Sequence, residues 1–143
     1  MIPLRKLILI LVALCVCIGV PSHSFTEDSA TVRLAKTIYT LAGNESYETK
    51  LAVATVIMNR VENPWYPGTL EGVLAQQQQF PCGSRYDEES LAAAHEALTG
   101  TRVLPVEAIS LQAKDASAPR GDEDKCAESG SYNFYTTDLK MPL

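Results

Sequence analysis

Apolar positions along the chain repeat with a helical period through its first two thirds and then switch to alternation. Ala35, Ile38, Tyr39 and Ala42 fall at i, i+3, i+4 and i+7, which predicts a helix running from Thr31. Gly43-Asn44 closes it, because both residue types tolerate the left-handed conformation. A second helix is predicted over about Ser46 to Val61. Leu51, Ala52, Val53, Ala54, Val56, Ile57 and Met58 leave it apolar on more than one side, the signature of a buried central helix. Ser46 is placed to cap its free amides, and Glu48 suits its positive end. Asn63-Pro64 stops the helix, and the stretch from Pro64 to Gly68 makes a rigid loop carrying Trp65 and Tyr66. Thr69 caps a short helix ending at Leu74. Asp87, followed by Glu88 and Glu89, opens another that ends before Gly100, with Leu91, Ala94 and Leu98 as its buried stripe. Ala108 to Lys114 and Tyr132 to Thr137 then alternate and are expected to pair as an antiparallel ribbon. Between them lies a polar loop, Asp115 to Ser131. The expected class is α+β, mainly α, with a small C-terminal β-ribbon. No repeat or second domain is visible.

The N-terminus has a different character. Arg5 and Lys6 precede an apolar run from Leu7 to Val20, followed by small residues at Ser22 and Ser24. That is the layout of a signal peptide, residues 1–24, which implies a secreted or extracytoplasmic domain over residues 25–143. The run of 14 residues is short for a membrane span of about 20, which leaves an N-terminal anchor as the alternative. The leader takes Cys15 and Cys17 with it, so Cys82 and Cys126 are the remaining pair. In an oxidising compartment they are expected to join, tying down the polar loop. Without Arg5 and Lys6 the count is 10 basic to 17 acidic residues, a net of −7. Such a surface repels phosphate backbones, which argues against nucleic acid as a partner.

The side-chain inventory excludes several chemistries. Beyond the leader the only histidine is His95, too few ligands for a zinc hydrolase, so no metal is expected. A Ser-His-Asp triad would need His95, which sits mid-helix among alanines. Cys82 with His95 is a conceivable thiol-peptidase pair, set against a solvated histidine and a bridged cysteine. Arg120-Gly121-Asp122 and the glycosylation sequon Asn44-Glu45-Ser46 are short enough to recur by chance. Carboxylate chemistry survives. Glu45 stands in a tight corner between two predicted helices, either as an anchor for loop amides or as the acid of an active site. The helix N-terminus behind it favours its charged form, and burial against Tyr39, Tyr47 or Trp65 would favour the neutral one. Glycosidic cleavage needs one carboxylic acid to protonate the leaving oxygen, and no metal or cofactor if the sugar's own hydroxyl attacks. Trp65 and Tyr66 either stack on a sugar face or cap the core.

Ile38-Tyr39, Glu45-Ser46-Tyr47-Glu48, Lys50, Ala52-Val53-Ala54, Val56-Ile57 and Asn59-Arg60-Val61 together resemble the first half of the SleB-type, spore-cortex-lytic cell wall hydrolases. Tyr66-Pro67-Gly68-Thr69, Gly72-Val73 and Gln79-Phe80 are similar to later family positions. The resemblance, over roughly Leu34 to Tyr135, implies a lysozyme-like helical domain that cleaves peptidoglycan glycan strands as a lytic transglycosylase. Glu45 matches the second motif glutamate and is the remaining catalytic candidate, with Tyr47, Gln79 and Phe80 as candidate substrate contacts and Asn59 and Arg60 as either substrate contacts or end-of-helix structural groups. The chain also departs from the pattern. The family carries two glutamates four apart, the first of which is the assigned acid, and that position is Leu41 here, which cannot donate a proton. Gly130-Ser131-Tyr132 stands nearest the family's late Gly-Asn-His. A wall-binding relative that has lost its acid is therefore the rival reading.

Overall fold

The computed structural model describes residues 28–76 and 79–138. The leader, and with it the signal-peptide reading, lies outside the described residues. Among the described residues four helices are followed by one small sheet: α1 (Ser29–Ala42), α2 (Tyr47–Glu62), α3 (Leu70–Leu74), α4 (Glu88–Leu98), β1 (Ser110–Ala113), β2 (Lys125–Ser129) and β3 (Tyr132–Tyr135). Among the described residues no helix is long and apolar enough to cross a membrane.

Helix α2 is the axis of the molecule. Every residue from Thr49 to Arg60 is buried, and α1, α3, α4 and the sheet all pack on it. Ser46 caps it, its hydroxyl accepting from the Thr49 amide at 3.3 Å. Helix α1 contributes Leu34, Ala35, Ile38 and Ala42 to the core. Its end differs from expectation: Gly43 keeps right-handed angles (φ −58°), and the Glu45 amide closes the turn on the Ala42 carbonyl at 3.0 Å. Helix α4 begins at its Asp87 cap as expected, but its buried face is Ser90, Ala93, Ala94 and Ala97, with Leu91 and Leu98 only half-buried. Small side chains let α4 lie close against α1 and α2, and the leucines fill the flanks.

One charge is buried in this packing. Lys50 is 2% exposed, and its ammonium meets Asp87 at 3.1 Å and Glu89 at 2.7 Å. Burial works against ionising Asp87, yet hydrogen bonds from Ser90 and Lys50 hold its carboxyl below the usual value. A depressed carboxyl stabilises the fold above its unfolded pKa, and that contribution disappears as pH falls through the folded one. The thermal midpoint should therefore drop steeply below about pH 4, and Asp87→Asn should flatten that limb. Equal acid limbs for the two proteins would contradict this.

The sheet has order β1-β3-β2, antiparallel throughout. β1 pairs with β3 as the alternation predicts, Leu111 opposite Phe134. The third strand, β2, occupies what reads as loop in the sequence. A register shift between Lys125 and Ala127 breaks its period of two, so it carries no alternation to recognise. The preceding segment is tied down by Arg120, which donates to Ser110 Oγ at 2.8 Å, pairs with Asp124 and lies 4.0 Å over the Tyr135 ring.

The expected disulfide is not formed. Cys82 and Cys126 are both free thiols. Cys82 is exposed beside the Arg33 carbonyl of α1, whereas Cys126 is half-buried on β2 with its thiol on the Phe134 carbonyl. Arg120 supplies the tether that the bridge was expected to give.

Candidate functional site

The corner between α1 and α2 meets the two-residue turn between β2 and β3. Ser129 pairs with Tyr132, leaving Gly130-Ser131 as the turn, and Gly130 takes φ +53°. The Ser131 amide donates to Glu45 Oε2 at 3.2 Å. The other carboxylate oxygen of this half-buried side chain accepts from no described group. Thr49 and Ser129 hydroxyls bond at 2.7 Å, and Ser46 Oγ lies 3.2 Å from Thr49 Oγ1. The Tyr132 hydroxyl donates to the Leu41 carbonyl at 2.5 Å. Burial first, then the charges of Glu45 and Asp115, raises the Tyr132 phenol above its usual pKa. The hydroxyl contacts tie the helix corner to the hairpin, and the Ser131 amide holds the Glu45 carboxyl between them.

Gly130 is required here. A Cβ at this position would overlap Glu45 Oε2 and stand 2.7 Å from Thr49 Oγ1, in a backbone region that side chains disfavour. Gly130→Ala should therefore destabilise the fold by about 1–3 kcal/mol in denaturant unfolding, through strain and displacement of the carboxyl. An unchanged midpoint would show that the turn does not press on Glu45.

The other expected site residues have partners of their own, and all but Tyr47 lie away from the Glu45 corner. Tyr47, half-buried, donates to Glu96 Oε1 at 2.7 Å; burial and Glu96 push its phenol up to about 12. Asn59 and Arg60, expected at the substrate, are each 1% exposed and face inward. Asn59 Nδ2 donates to the Pro105 and Ala108 carbonyls, both at 2.9 Å. Arg60 Nε donates to the Ile109 carbonyl at 2.5 Å, and Nη1 reaches Gln76 and Gln79, each at 3.2 Å. Its guanidinium lies 4.8 Å from the Tyr66 ring and 4.8 Å from the Phe80 ring, and pairs with Asp138 at 3.2 Å. Gln79 and Phe80 therefore belong to a closed box around Arg60 at the far end of α2 from Glu45. Their physical role is to hold the loop after α2 and the start of β1. His95 is exposed on α4, and the Cys82 thiol has only the Arg33 and Gly83 carbonyls as partners among the described residues.

The hairpin turn is what sequence reasoning missed. Its signal was present, since Gly-Ser between strand-forming residues is a two-residue turn. The polar run on its N-terminal side hid the strand.

A small helical domain wrapped on one buried helix, with a carboxyl clamped between a helix corner and a hairpin, defines a class. The chain belongs to the cell wall hydrolase family, whose model matches residues 44–135. That stretch takes in Glu45 and the hairpin and begins after Leu41. In fold the chain is similar to the catalytic domain of the Bacillus cereus SleB protein, with a TM-score of 0.67 at 22% identity over 74% of this chain and 88% of that one. It is similarly close to the catalytic domain of the germination-specific lytic transglycosylase SleB from Bacillus anthracis, with a TM-score of 0.66 at 21% identity over 78% and 98% of the two chains. Among curated proteins none matches the sequence.

Proposed function

We propose that this protein cleaves the glycan strands of peptidoglycan outside the cytoplasm, as a lytic transglycosylase with Glu45 as its single acid. The observation that carries the reading is the Glu45 carboxyl: one oxygen is fixed by the Ser131 amide, and the other has no protein partner among the described residues. In the proposed reaction Glu45 gives its proton to the glycosidic oxygen as the C1–O bond breaks. A hydroxyl of the same sugar then closes on C1 and returns its proton to the Glu45 carboxylate, leaving an anhydro end. Tyr47 borders the corner and is the nearest of the proposed substrate contacts. Asn59, Arg60, Gln79 and Phe80 act from beneath, by fixing the loops around α2.

Leu41, at the position of the family's first glutamate, favours a second reading in which the protein holds the wall without cutting it. Incubation with purified, insoluble glycan strands separates the two. Soluble fragments released in proportion to enzyme support the hydrolase; co-sedimentation with no release supports the binding relative.

A further inference from the structure

Trp65 stands apart from the rest of the apolar side chains. It is 78% exposed in a domain whose other aromatic rings are mostly packed. An indole has the most to gain from leaving water, so its exposure on a rigid support points to an occupant. The support is rigid. Asn63 Oδ1 accepts from the Trp65 amide at 2.9 Å, and the Asn63 carbonyl accepts from the Tyr66 amide at 3.1 Å. Tyr66 is buried beneath Arg60, with its hydroxyl on Asp138 at 3.1 Å. Pro64 and Pro67 stiffen the backbone on either side. The indole therefore projects from a loop that is already ordered, and binding there costs little further ordering.

We propose that Trp65 is a remote stacking platform for the sugar rings of a glycan strand; this rests on the wall-glycan reading above. Two arguments select a saccharide. First, the chain is acidic, with formal net charge −5, so its overall charge disfavours an anionic wall polymer and contact with ring C–H faces is the attraction that an indole can supply. Second, the exposed aromatic surface here is a single indole, with Tyr86 the next most exposed aromatic among the described residues at 37%. That suits one ring better than a broad protein interface, which requires on the order of 1,000 Å².

Position sets the length of the ligand. Glu45 precedes the first residue of α2, and Trp65 follows its last. A helix of 16 residues is about 24 Å long, so no single sugar reaches both. A strand of several sugars is needed to touch the two together, and the platform would favour polymer over short fragments.

Trp65 is the only tryptophan in the chain, so indole emission reports on this side chain alone. In the Glu45→Gln background, which stops turnover, long glycan strands should shift that emission to the blue, and a disaccharide fragment should not. Trp65→Ala should weaken co-sedimentation with strands about tenfold, and Trp65→Phe should restore most of it, with unchanged circular dichroism in both. Strands that sediment with the protein while its emission stays constant would overturn the proposal. So would Trp65→Ala binding as wild type does, or a Trp65-dependent dimer in equilibrium sedimentation. The last would assign the patch to self-association through Trp65 with the exposed Val103 and Val106. A wild-type protein that neither binds nor cuts strands would sink the wall-glycan reading itself. Normal cutting with a silent indole would sink only the platform.

Discussion

Glu45→Gln is expected to lower glycan turnover by about a hundred- to ten-thousandfold while leaving the fold intact. Glutamine keeps a carbonyl oxygen to accept from the Ser131 amide, so the contact that fixes the side chain persists. What disappears is the proton that the leaving oxygen requires. Unfolding should shift by no more than about 0.5 kcal/mol, and that separates chemistry from packing. Ser131→Ala makes a useful companion, because the bond comes from its backbone amide and should survive. Turnover that persists in Glu45→Gln would move the acid elsewhere in the chain.

Arg60→Met should cost about 3–5 kcal/mol of folding stability, read as a lower denaturant midpoint. The guanidinium is 1% exposed, sandwiched between Tyr66 and Phe80, and bonded to Ile109, Gln76, Gln79 and Asp138. Methionine fills part of the volume but leaves the Asp138 carboxylate, 8% exposed, without its cation. Adding Asp138→Asn should recover part of the loss, since the stranded charge accounts for much of it. A single variant costing under about 1 kcal/mol would mean that the box is ornamental rather than structural.

The helices were legible because each of their signals is local. Ser46, Thr69 and Asp87 cap as their side-chain chemistry dictates, and the apolar run of α2 could belong only to a buried helix. The strand β2 was not legible. Lys125, Cys126, Ala127, Glu128 and Ser129 contain a bulge that destroys alternation, and the strand is held by pairing with β3, a tertiary cause. Arg60 looked like a helix-end group or a substrate contact, because the four partners that bury it come from distant stretches of chain. Glu45 was visible as a pinned carboxyl. What the sequence could not supply was the identity of the clamp, which comes from a turn 86 residues later. The cysteine pairing failed for a similar reason: redox compartment and an even count say nothing about whether two side chains face each other.

The central claim is that the Glu45 carboxyl at this corner is the acid of the reaction, with Leu41 standing where the sequence resemblance expects another glutamate. Mass analysis of fragments released from purified glycan strands, by the wild-type chain and by Glu45→Gln side by side, addresses it most directly. The account predicts fragments with anhydro ends from the wild type and at least about a hundredfold fewer from the variant. Equal release from both proteins, or wild-type fragments with ordinary reducing ends, would contradict it.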